Sequence, residues 1–127
     1  MQALLLVGAG GAAGAVARYL LGVQAFRHLG SAWPYGTFMV NVLGGFLMGT
    51  LVGVLALRGG AGQENWRLLL GVGALGGFTT FSAFSLELAL MIERRTLGHA
   101  ILYSLGSVVL AVAALFAGLR LARRIFA

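Results

Sequence analysis

Cysteine is absent from this chain, which excludes a disulfide framework, a thiol nucleophile and any Cys-ligated metal. Lysine is absent too, and all nine basic residues are arginine. Charge of either sign is scarce: 9% of the 127 residues carry it, against roughly a quarter in a soluble domain. A soluble fold of this size cannot cover its surface with so few charges. With hydrophobic residues at 60%, lipid is the solvent that suits it. The net charge of +6 raises the question of nucleic acid, but eight of the nine arginines flank long apolar runs. A nucleic-acid binder gathers its bases on one face of a water-soluble module, so these charges read as partners of lipid headgroups and no nucleic-acid partner is expected. Nothing pairs a nucleophile with a base or sets two carboxylates together, which argues against an enzyme. The two histidines, His28 and His99, stand at the edges of apolar runs without metal-ligand spacing. The first run lacks a basic leader and a cleavage site and is followed by others, so it reads as a retained helix and not a signal peptide.

What the chain does contain is four runs of the length a bilayer requires, about 20 apolar residues each. They extend over residues 3–22, with Arg18 the only charge, 35–57 with none, 68–92 with Glu87, and 98–119. Arg27, His28 and the single proline, Pro34, mark the first loop, Arg58 to Arg67 the second, and Glu93-Arg94-Arg95 the third. The expected fold is all-α, one transmembrane domain over residues 1–127. Twenty-one glycines are too many for isolated helices, where each costs up to ~1 kcal/mol relative to alanine. In lipid, small residues four apart let backbones touch, and Gly10/Gly14, Gly45/Gly49/Gly53 and Gly73/Gly77 have that spacing. Arginine gives little orientation. Five (Arg58, Arg67, Arg120, Arg123, Arg124) fall on one side against four on the other (Arg27, Arg94, Arg95, and Arg18 if it reaches that interface). So weak a bias fits either a single orientation or two oppositely oriented copies paired about an axis in the membrane plane.

Polar groups inside spans carry the information, since each is costly there without a partner or a task. Thr37 and Asn41 lie four apart on one face of the second span, and the Asn41 amide can donate to an anion or bond across a helix interface. The third span reads Gly76-Gly77-Phe78-Thr79-Thr80-Phe81-Ser82-Ala83-Phe84-Ser85. Paired glycines followed by paired β-branched threonines are poor material for a continuous helix, and a break there frees carbonyls near mid-membrane. Such carbonyls are tolerated if buried in protein or coordinating a hard cation, for which Na⁺ is the natural guest. Phe78, Phe81 and Phe84 recur every three residues, as a core stripe or as positive ring edges facing a small anion. Tyr103 and Ser107 put two hydroxyls on one face of the fourth span. Glu87, near the end of the third span, reads as a group that reaches water or forms a salt bridge.

Taken together, Gly10 to Tyr19, Gly36-Thr37-Phe38-Met39-Val40-Asn41 and Gly76 to Ser85 resemble the Fluc (CrcB) fluoride channels of microbes, in three spans and in the same order. The resemblance implies an antiparallel, dual-topology homodimer in the cell inner membrane, with a broken third helix and two fluoride pores. It implies a central, non-transported Na⁺ held by the backbone carbonyls of Gly76 and Thr79. The pore asparagine and phenylalanines fall on Asn41, Phe81 and Phe84, and the polar track on Tyr103 and Ser107. Thr37, Thr80 and Ser82 complete the hydroxyls expected along the path. Two positions depart from the family pattern: Ala111, where relatives often carry Ser, and Ala83, where Thr is common. Because the cation's ligands are backbone, Thr79→Ser is expected to be nearly silent, and replacing Gly76 to forbid the backbone angles the site needs.

Fluoride is small and strongly hydrated, so a pore must replace its water with donors at several weak sites. The amide, hydroxyls and ring edges form such a ladder, and the arginine-rich mouths raise local anion concentration. Two rival readings are a small four-helix multidrug exporter, which needs a mid-membrane carboxylate, and a non-transporting assembly protein whose polar groups are interhelical glue.

Overall fold

A computed structural model describes residues 1–127. Every regular element is helical: α1 (Gln2–Leu29), α2 (Tyr35–Arg58), α3 (Gln63–Trp66), a π-helical stretch (Arg67–Leu75), α4 (Gly76–Phe78), α5 (Phe81–Glu93) and α6 (Leu97–Phe126). The segments from Gln63 to Glu93 run end to end as one bent span, so four helical units are long and apolar enough to cross a membrane. Two outrun their apolar stretches. α1 continues past Gly22 to Leu29, ending where Gly30 takes φ 82°, and α6 runs on through its terminal arginines because nothing beyond Gly118 breaks a helix.

Only 16 of the 127 residues are buried in the protomer, so most of its apolar surface must be covered by lipid or by another chain. What is buried sits where helices touch through small residues. A Cβ at Gly45 would lie 2.7 Å from the Ala111 carbonyl oxygen, and one at Gly53 would lie 2.7 Å from the Ala122 Cβ, so α2 and α6 meet backbone to backbone. On the other side, α1 lies against the π-helical stretch and α4, where a Cβ at Gly73 would come within 2.9 Å of the Val7 carbonyl. Three of the four expected glycine pairings are thereby packing contacts of α1 or α2, and the fourth, Gly73/Gly77, receives α1 from the opposite side.

Arg18 does not lie at an interface. Half-buried in the middle third of α1, it turns inward and donates from Nε to the Gly77 carbonyl at 3.1 Å. The interfacial arginine balance is therefore five against three, not five against four.

Candidate functional site

The site is built on the interruption of the third span. Thr79 (φ −83°, ψ 156°) and Thr80 (φ −150°, ψ 121°) are extended, as β-branched residues prefer, while Gly76 keeps ordinary helical angles (φ −62°, ψ −40°). The threonines carry the break. Gly76 is exposed, and a Cβ there would meet nothing closer than the Gly71 carbonyl at 3.7 Å, so the expectation that this position demands glycine conformation is overturned. Gly77 is the position without room: its Cβ would lie 2.5 Å from the Gly11 carbonyl oxygen.

Breaking a helix inside a membrane releases backbone groups that must find partners. The Thr79 N–H and hydroxyl both donate to the Leu75 carbonyl, at 3.0 and 2.9 Å. Asn41 holds Thr80 from both sides, accepting from its N–H at 2.8 Å and donating to its carbonyl at 3.0 Å. Of the two functions open to this amide, bonding across a helix interface is the one the protomer displays, and the second N–H of the amide is left over. The Thr80 hydroxyl caps α5 by accepting from the Ala83 N–H at 3.1 Å, and lies 3.2 Å from the Ser82 hydroxyl. Arg18 takes the Gly77 carbonyl. The Thr79 carbonyl accepts no hydrogen bond within the protomer, and the Thr80 N–H that would continue the helix onto the Gly76 carbonyl goes to Asn41 instead.

Beside the break is a cavity of about 250 Å³ lined by Asn41, Thr79, Thr80, Phe81, Phe84, Ser107, Val108 and Ala111. It thus gathers most of the residues expected along the anion path, from α2, the break, α5 and α6. Ala111, at the departure from the family pattern, adds only a methyl. The Ser107 hydroxyl is buried and has no partner. The two phenylalanines differ: Phe84 is 8% exposed and stacks on Tyr103 with centroids 5.2 Å apart, whereas Phe81 is 78% exposed.

Thr37 and Tyr103 do not reach that cavity. Their hydroxyls donate at 2.8 Å each to the two carboxylate oxygens of Glu87. Glu87 forms no salt bridge, contrary to one of its expected roles, and instead ties α2, α5 and α6 together. Its place was legible in the spacing: it lies three residues beyond Phe84, on the same face of α5. A second cavity, of about 430 Å³, opens beyond it toward the loop ends, with Thr37 and Glu87 at its base and Arg94, Thr96, His99 and Trp33 around it. A line of polar and aromatic groups therefore runs from Ser107 and Asn41 past Phe84 and Tyr103 to Glu87 and that mouth.

Four membrane-crossing helices, one broken at depth beside a donor-lined cavity, define a small multi-pass membrane protein with the parts of an ion path. The chain belongs to the family described as CrcB-like protein, Camphor Resistance (CrcB), whose pattern matches residues 5–119. It is 83% identical over 127 residues, the full length of both chains, to a protein of Phenylobacterium zucineum named fluoride-specific ion channel FluC. Proteins with the same name from Caulobacter sp. strain K31 and Hyphomonas neptunium are 69% identical over 126 residues (99% of this chain, 98% of the relative) and 52% identical over 127 residues (100% of both).

Proposed function

We propose that this protein is a fluoride channel that lets fluoride leave the cytoplasm across the inner membrane, working as an antiparallel homodimer. The observation that carries the reading is the buried, partnerless Ser107 hydroxyl in a cavity shared with Asn41 and two phenylalanine rings, in a chain whose near relatives are named fluoride channels. A strongly hydrated anion crosses only if donors replace its water, each weakly enough to let go. Ser107 and the spare N–H of Asn41 supply donors, and the ring edges of Phe81 and Phe84 supply weakly positive walls. Farther out, Thr37 and Tyr103 hold their protons toward Glu87, and passage there has these hydroxyls turn from the carboxylate to the anion. The arginine-lined mouth draws anions in.

The homodimer is favoured by what the protomer leaves open: a broken helix with Phe81, Gly76 and Ser82 exposed on its surface. A second copy related by a two-fold axis covers that face and completes the path. The break also fits a structural Na⁺. Hard cations take oxygen ligands. The Thr79 carbonyl accepts no hydrogen bond and the Gly76 carbonyl has lost its helical partner, the Thr80 N–H, to Asn41, while the carbonyls of Gly77 and Thr80 accept from Arg18 and Asn41. When bound there, the ion supplies fixed positive charge between two anion paths.

Reconstitution into liposomes loaded with fluoride tests the reading. A fluoride electrode should record rapid efflux when potassium permeability is provided, and chloride-loaded vesicles should show none. Absence of fluoride efflux, or equal chloride flux, overturns it and leaves an exporter or an assembly protein.

A further inference from the structure

We infer that Arg18 decides which carbonyls of the break serve the central cation, and so which ion the site accepts, by occupying the Gly77 oxygen. The inference rests on the cation reading above and adds a positioning residue to it.

Gly10, Gly14 and Arg18 follow at four-residue intervals on one face of α1. The first two touch the backbone of the π-helical stretch and α4: Gly10 meets Leu69, Gly73 and Ala74, and Gly14 meets Ala74 and Phe78. One turn further, the same face arrives at the break and presents a guanidinium, with Nε 3.1 Å from the Gly77 carbonyl oxygen. The contact of Gly77 with Gly11 holds that carbonyl where the arginine meets it. A charge in the middle third of a membrane helix is expensive without a task, and this one spends a charge-assisted hydrogen bond on a single backbone oxygen.

The consequence follows from adjacency. The Gly76 and Gly77 oxygens belong to consecutive residues at the end of one helix: the second accepts from Arg18, while the first has lost its helical partner, the Thr80 N–H, to Asn41. Without Arg18, the Gly77 carbonyl is released from that hydrogen bond and can serve the ion as well, giving one more oxygen per protomer. Whether a carbonyl cage selects by size or by number of dipoles, an extra oxygen moves it toward larger monovalent ions. Arg18 also repels any cation nearby, but that repulsion is the same for Na⁺ and K⁺. The ratio of the two affinities therefore isolates the hydrogen bond from the charge.

Two substitutions separate them chemically. In glutamine, Nε2 is joined to Cδ as Nε is in arginine, so Arg18→Gln keeps a donor at that atom and removes the charge. Arg18→Met removes both. The test is thermal unfolding of the purified protein in detergent, titrated with NaCl or KCl against N-methylglucamine chloride. The wild type should be stabilised at lower Na⁺ than K⁺ concentration. In Arg18→Met the ratio of half-saturating concentrations should fall about threefold or more, the scale of one net hydrogen bond, while Arg18→Gln stays near the wild type. An unchanged ratio in Arg18→Met, or an equal fall in Arg18→Gln, overturns the inference. Absence of any Na⁺ dependence in the wild type defeats the cation reading itself. Should Arg18→Met not fold, carbonyl-¹³C labelling of the wild-type glycines gives the answer. Exchanging Na⁺ for K⁺ should shift the Gly76 signal and leave Gly77 in place, and a comparable shift at Gly77 overturns the inference.

Discussion

Alanine at the two consecutive glycines of the break should give opposite results. At Gly76 the backbone is helical and the nearest atom to an added Cβ is 3.7 Å away, so Gly76→Ala gains helix propensity of up to about 1 kcal/mol without a steric charge against it. At Gly77 the added methyl would lie 2.5 Å from the Gly11 carbonyl oxygen and 3.1 Å from its carbon and Cα. All three are backbone atoms, which cannot swing aside as a side chain would. Relief requires α1 to move away from α4, which stretches the Arg18–Gly77 hydrogen bond and loosens the Gly14 contact. Overpacking of this kind destabilises by about 1–3 kcal/mol, and since both glycines lie in α4 the propensity gain is common to them, so the two variants should differ by about 1–3 kcal/mol, with Gly76→Ala the more stable. Equilibrium unfolding in mixed micelles, followed by tryptophan fluorescence, reads the difference. Trp33, stacked on His99 at 4.8 Å, reports α2–α6 docking. Gly76→Ala destabilised as much as Gly77→Ala would refute the reasoning and restore a conformational demand at the first glycine.

Three further outcomes are expected. Ser107→Ala should leave stability unchanged or raise it by about 1 kcal/mol, because a buried hydroxyl without a partner is removed, while fluoride flux falls; loss of stability without a flux defect would return Ser107 to packing. Phe81→Ile should cut flux with little change in melting temperature, whereas Phe84→Ile, at a buried ring packed on Tyr103, should lose about 1–3 kcal/mol; equal destabilisation at both would mark a core stripe. Since the chain has no native cysteine, a single Phe126→Cys can be labelled in intact cells, and two oppositely oriented populations should appear as accessible and protected fractions. One population alone would end the antiparallel reading.

The membrane class and the four spans were determined by the sequence, because apolar run length is set by bilayer thickness and not by the details of packing. The location of the break was legible as well, since two adjacent β-branched residues favour extended backbone wherever they lie. Which residues hold it open was not. Asn41 is 39 positions from Thr80, and Arg18 is 59 from Gly77. Periodicity places a side chain on a face of its own helix but does not say which carbonyl of another helix stands opposite. The same blindness allowed Glu87 a salt bridge that it does not form, and gave no sign that the hydroxyls of Thr37 and Tyr103 converge on it. It also assigned to Gly76 a conformational demand that its helical angles do not show, while the glycine that packing requires is Gly77, against Gly11. Local spacing fixes what each helix offers, and only the docking of α1 and α2 against the bent span decides which backbone oxygens of the break accept a donor from another helix.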